Sequence, residues 1–122
     1  MNHPKSFVFV VRQPPFCGGR NAEVVDQLLA VAAFDHPVDV LFLDDGVWQL
    51  QAAHIPEGAG LRPLAPLLQT LEFYDVREVA AEHESLAERA LSPDGLVLPV
   101  RLLARSEVPG WIAGHDVAVG CG

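Results

Sequence analysis

The stretch VDVLFLDDG, Val38 to Gly46, decides how this chain is read. Its first part is a continuous apolar run without polar alternation, the pattern of a strand covered on both faces. Its last part, two acids and a glycine, is turn chemistry. A strand of that kind needs helices above and below the sheet. Parallel neighbours need crossover connections, and helical crossovers meet both needs.

The flanking sequence repeats the logic. SFVFVVR, Ser6 to Arg12, reads as an earlier buried strand, and QPPFCGGRN, Gln13 to Asn21, as a loop rich in Pro and Gly. AEVVDQLLAVAAF then places Val25, Leu28, Leu29 and Ala32 on one stripe of a helix, with Asn21 as N-cap and Glu23 near its positive end. Beyond Gly46 a polar stretch runs from Gln49 to Gly60. PLAPLLQTLEF (63–73) returns to helical spacing, with Pro63 in the first turn. DVREVAA (75–81) reads as a third strand, SLAERAL (85–91) as a short helix and LVLPV (96–100) as a fourth strand. EVPGWIAGH forms a helical turn and DVAVG (116–120) a last strand. This alternation predicts a flavodoxin-like α/β domain of three layers with about five mostly parallel strands, one domain over residues 1–122.

Composition narrows the function. Sixteen acidic against eight basic residues give a net charge of −8, which repels phosphate backbones and anionic lipid; direct nucleic-acid binding and membrane association are not expected. The apolar run Phe7–Val11 is too short for a secretory leader and is closed by Arg12. Cys17 and Cys121 lie far apart in sequence, as free thiols in a reducing cytoplasm would.

In open parallel sheets functional groups collect where strands end at their carboxyl edge. Three segments qualify by position. QPPFCGGR puts Cys17 beside two glycines, ahead of a helix, but it matches neither a phosphate loop nor a dinucleotide fingerprint. DDGVWQL carries Asp44, Asp45, Gly46 and Trp48. A metal site there would need more ligands, and adjacent residues on an extended strand face opposite ways; no metal and no cofactor are expected. The structural reading is that one Asp caps the turn while Gly46 supplies a backbone conformation other residues resist. Trp48 suits an interface anchor or a lid on the core. AEHES holds Glu82, His83, Glu84 and Ser85, which read as a solvated helix start.

At AAFDHPVDVLFLDDGVWQL, Ala32 to Leu50, the chain resembles the TusC/DsrF branch of the DsrE/DsrF-like sulfur-relay family, whose hallmark is an apolar strand followed by Asp-Asp-Gly-Val-aromatic-Gln-Leu. LEFYDV, SLAERAL and the closing Asp-Val strand extend the resemblance over most of the chain. It implies a flavodoxin-like fold and a hexamer with two paralogous subunits, TusB-like and TusD-like (DsrH and DsrE), that receives persulfide sulfur from carrier proteins. The relay leads to 2-thiouridine at the tRNA wobble position, or, in the Dsr version, serves sulfur oxidation. The resemblance puts the active cysteine in the partner, on a loop that here reads VAAEHES; Glu82 falls near where some relatives carry a thiol. A carboxylate cannot accept persulfide sulfur. Ala90 stands where the family tends to have Gly.

The expectation is therefore a non-catalytic relay subunit, with Asp44, Asp45, Gly46, Trp48 and Glu82 at an interface and Cys17 and Cys121 as secondary thiols. Two alternatives stand beside it: an autonomous sulfurtransferase using Cys17 or Cys121, and a small-molecule module on the same scaffold.

Overall fold

The computed structural model describes residues 5–12, 20–51, 76–96 and 99–121. The expected helix 63–73 and the loop with Cys17 lie outside the described residues. Five strands form one sheet: β1 (Phe7–Val11), β2 (Val38–Phe42), β3 (Val76–Glu82), β4 (Arg101–Leu103) and β5 (Val117–Cys121). Their order is β4-β3-β2-β1-β5, and every pairing is parallel. The α/β architecture and its parallel sheet are as the sequence pattern implies. The strand order differs from the 2-1-3-4-5 of flavodoxin itself. Three successive crossovers step the same way, and the last strand returns to the free side of β1. The switch point of the sheet therefore falls between β1 and β5.

Period-2 alternation divides the apolar runs between two cores. Phe9, Val11, Val38, Val40 and Phe42 face α1 (Arg20–Ala33), α2 (His83–Glu88) and the 3-10 turn Asp44–Leu50, where they meet Leu28, Leu86, Val47 and Leu50. Val8, Val10, Leu41, Ala80 and Leu103 face the other way, against Val108, Trp111 and Ile112 of α3 (Val108–Ala113). Phe9, Phe42, Leu28 and Leu86 are at most 1% exposed. Each such side chain contributes about 1.5–3 kcal/mol through removal from water.

Several boundaries differ from the sequence expectation. The fourth strand is Arg101–Leu103, not 96–100. Pro99 has no N–H to give a ladder, and pairing starts only after it, at Ala80↔Arg101. Leu96 instead makes an antiparallel bridge to Gln51. The helix α1 starts at Arg20, so Asn21 lies inside it and is not its N-cap. The helix α2 starts two residues earlier than expected, directly behind β3. In the β2–β3 ladder Val38 pairs with Val76 but Asp39 with Glu78, a bulge that leaves Arg77 as the extra residue.

Candidate functional site

The carboxyl edge is built on backbone contact. The Leu43 N–H donates to the carbonyl of Val11, 3.1 Å away, which ties the exit of β2 to the exit of β1. Gly46 then lies flat against the same carbonyl: a Cβ added there would sit 1.9 Å from the Val11 oxygen. This corrects the expected role of the glycine. Close approach demands Gly46, while the left-handed conformation is taken by Asp44 at φ 53°. Neither acid caps the turn, since Leu43 occupies the N-cap with no side-chain hydrogen bond. The DDGVWQL segment is not an extended strand end but a 3-10 turn. Its Val47, Gln49 and Leu50 are buried, Trp48 is half-buried, and Asp44 and Asp45 stay exposed.

Asp45 accepts from the Arg89 guanidinium through Nε at 3.2 Å and Nη2 at 3.0 Å. Arg89 Nη1 donates to the Ser85 carbonyl at 3.1 Å. Asp44 is loosely approached by Arg12, 3.9 Å away. Screening makes exposed pairs of this kind weak, so they order the turn more than they stabilise the fold.

The second contributor is the β3–α2 junction, where the expectation holds for part of the segment and fails at Glu82 and Ser85. The AEHES segment does start a helix and leaves His83 exposed and Glu84 half-buried, but it is not solvated throughout. Glu82 is 4% exposed and Ser85 fully buried. Glu82 ends β3 on the face shared with Ala80, and the immediate start of α2 folds Ser85 back over it. The Ser85 hydroxyl donates to Glu82 Oε1 at 2.6 Å and accepts from the Asp44 N–H at 2.9 Å. The same Oε1 accepts Arg105 Nε at 3.0 Å and Nη2 at 2.9 Å. Arg105 also reaches Glu88, and its backbone N–H donates to Glu84. The hydrogen bonds that Arg105 donates, to Glu82 first and to Glu88 second, hold its proton more tightly than usual. A buried carboxylate demands such partners.

The structure thus brings Asp44, Asp45, Gly46 and Glu82 together, joined through Ser85. It places Cys121 elsewhere on this edge, in register with Val11 at the β1–β5 switch point. Cys17 is outside the described residues. Sequence reasoning missed Arg105 and Arg89 entirely. Arg105 sits in a segment without a motif and Arg89 in SLAERAL, where no role was read for it; only folding brings them to their acids, 23 and 44 residues away. Among the described residues no group of three His, Cys, Asp or Glu side chains is placed to hold a metal. Chemically, the edge offers a bonded carboxylate, a hydroxyl and guanidinium groups. Among the described side chains it shows no nucleophilic sulfur.

The fold is an α/β one, an open all-parallel sheet covered on both faces, with a buried carboxylate at the end of its third strand. The chain belongs to the DsrE/DsrF-like family, whose model matches residues 5–119. Among its relatives are the protein TusC homolog of Pseudomonas aeruginosa and the protein TusC of Shigella flexneri. The first is 37% identical over 115 residues, 94% of this chain and 97% of the relative. The second is 32% identical over 114 residues, 93% and 96% respectively. The intracellular sulfur oxidation protein DsrF of Allochromatium vinosum is 39% identical over 93 residues, 76% of this chain and 68% of the relative. The chain is thus TusC/DsrF-like. In fold it is similar to the ychN protein of E. coli, with a TM-score of 0.76 over 95% of this chain and 98% of that one, at 17% identity.

Proposed function

We propose that this chain is the TusC/DsrF-type subunit of a heterohexameric persulfide relay, shaping a partner's reactive site without carrying sulfur itself. The observation that supports this reading is Glu82. At the end of β3, where the relay chemistry would need a thiolate, the side chain is a carboxylate tied down by Ser85 and Arg105. The partners are a TusB-like and a TusD-like subunit (DsrH and DsrE), the latter holding the active cysteine. Exposed Asp44 and Asp45, with the half-buried Trp48 of the same turn, form the contact edge. The net charge of −8 suits a subunit of a complex that passes sulfur between proteins and not to RNA directly. A cytoplasmic site and a role in wobble-uridine 2-thiolation complete the reading. Among the described residues no helix is long and apolar enough to cross a membrane.

The test is co-expression with the two paralogous subunits, followed by loading with a persulfide donor and intact-mass analysis of each chain. Co-purification of all three, with the added sulfur on the TusD-like chain alone, is the expected result. Turnover-competent sulfur on Cys17 or Cys121 of the isolated chain would overturn it. Deleting the gene should lower tRNA 2-thiouridine; unchanged thiolation with impaired sulfur oxidation would assign the Dsr branch instead. A second reading, Cys121 as an accessory thiol, is favoured by its register at the switch point, where open sheets place ligands. A Cys121→Ser chain that loads and transfers as the parent does would remove it.

A further inference from the structure

The opposite, amino edge of the sheet holds a second buried charge cluster, away from the edge that carries Glu82. Asp39, on β2, is 1% exposed. Arg77, the extra residue of the β3 bulge, grips its carboxylate with both arms, Nε on Oδ1 at 3.1 Å and Nη2 on Oδ2 at 2.6 Å. The His115 side chain is 6% exposed, and its Nε2 lies 2.6 Å from Asp39 Oδ2. Its other nitrogen, Nδ1, lies 2.9 Å from the main-chain carbonyl of Trp111. The Trp111 indole meets the ring edge-on at 4.8 Å.

Both ring nitrogens therefore face acceptors. A main-chain carbonyl has no proton to give, and a carboxylate already gripped by a guanidinium is in its acceptor-only, ionised form. A neutral imidazole has one N–H and can satisfy one of these oxygens; the other would face a lone pair at hydrogen-bond distance in a nearly dry site. Only the imidazolium satisfies both. It also lies against the last carbonyls of α3, where a positive charge is favoured.

We infer that His115 is a proton-linked latch. Its doubly protonated ring fastens the C-terminal unit, α3 and the edge strand β5, to the central strand β2. Loss of one proton removes this tie to β2 and loosens the unit, while the β1–β5 ladder still pairs it to the sheet. The charged groups around the ring are accounted for on each neighbouring element. Asp39 comes from β2 and Arg77 from β3. Asp116 follows His115 itself, and Lys5 approaches from the segment before β1; both couple electrostatically to this corner. The loosened unit ends in Cys121, so the latch governs how firmly the switch-point edge of the sheet is held.

The test reads the wild-type chain. Ring nitrogen-15 shifts of His115 and amide exchange of residues 108–121, corrected for intrinsic rate, are followed from about pH 5 to about pH 8, the range in which imidazoles titrate. The latch predicts two pyrrole-type nitrogens at the acid end and one pyridine-type nitrogen at the other. Exchange over 108–121 should quicken about tenfold or more in step, as expected for one stranded buried acceptor. Exchange of β2 and α1 should not follow. In the His115→Gln chain the C-terminal unit should exchange fast at every pH. A single neutral tautomer throughout, or protection of 108–121 that ignores the ring's titration, would overturn the inference even if the variant fails to fold. Neither readout depends on the relay, so the two proposals fail separately.

Discussion

Two carboxylates are buried in this sheet, one at each end, and arginines reach them in different ways. At the amino edge Asp39 is closed on both oxygens, by the Arg77 fork and by His115. At the carboxyl edge Glu82 takes all three of its described bonds, from Ser85 and Arg105, on Oε1. Arg77 serves one buried acid, whereas Arg105 is shared with exposed Glu88. The basal cluster joins strands to the C-terminal unit and has the geometry of a clasp. The upper one joins a strand end to a short helix and the loop after β4, and leaves exposed acids around it. One end of the sheet is closed on itself, and the other presents a surface.

The contrast can be broken most violently at Gly46. The carboxyl edge keeps its shape because β2's exit lies on β1's carbonyl, and a methyl group 1.9 Å from that oxygen cannot be absorbed by a rotamer change. Gly46→Ala should cost about 3 kcal/mol, at the upper end of overpacking effects. Urea unfolding with an unchanged slope is the measurement. A loss below about 1 kcal/mol would show that the edge moves freely.

Next in size is a direct comparison of the two acids. Asp39→Asn removes a charge on which Arg77 and His115 both close, and should cost about 2–3 kcal/mol. Glu82→Gln keeps an oxygen that can still accept from Arg105 and Ser85, and should cost about half as much. Equal losses would mean that the two ends are held alike, against the reading of one as clasp and the other as surface.

A smaller effect separates the ends by pH. Asp116 neighbours the basal cluster, and its carboxyl is held below the usual range. The Ser6 N–H is the leading cause, then the Ser6 hydroxyl, with Lys5 and His115 adding their charges. A depressed folded-state value means that this stabilisation is present above the unfolded value of about 3.9 and is lost as pH falls through the folded one. Asp116→Asn should therefore lower stability at neutral pH and flatten the acid limb below about pH 4. An unchanged acid limb would remove Asp116 from the account of this end.

Much of this was legible from residue pattern. Continuous apolar runs separated by helical spacing dictate a covered parallel sheet, and the Asp-Asp-Gly block marks the exit of β2. Strand order was not legible, because no residue in β5 records that it pairs with β1. Nor was the burial of Glu82 and Ser85. Charged residues after a strand read as solvated unless their cation is known, and Arg105 comes from another strand's loop. Local pattern likewise cannot show a bulge, so the Arg77–Asp39 fork was invisible. The glycine was noticed for the wrong reason: its need is set by the Val11 carbonyl, a contact made 35 residues away in sequence.

The smallest predicted effect lies at the carboxyl edge and concerns Ala90. The helix α2 ends in a Schellman arrangement: the Ala90 N–H donates to Ala87 at 3.1 Å and the Leu91 N–H to Leu86 at 2.9 Å. Leu91 packs on the cluster that contains Leu86, completing the motif's apolar contact. That geometry needs a left-handed residue, and alanine takes it at φ 55°. The strain is about 1 kcal/mol, partly offset in glycine by the extra freedom of its unfolded chain. Ala90→Gly should therefore stabilise by about 0.5 kcal/mol, read as a raised urea midpoint at constant slope. The helix α1 offers the internal control, since Asp35 closes it at φ 62°. Aspartate tolerates this conformation better, so Asp35→Gly should gain less. If Asp35→Gly gained as much, residue type at the cap would not be what distinguishes the two helix ends. The Ala90 end would then have to be held by its neighbour Arg89, through Asp45 and the Ser85 carbonyl.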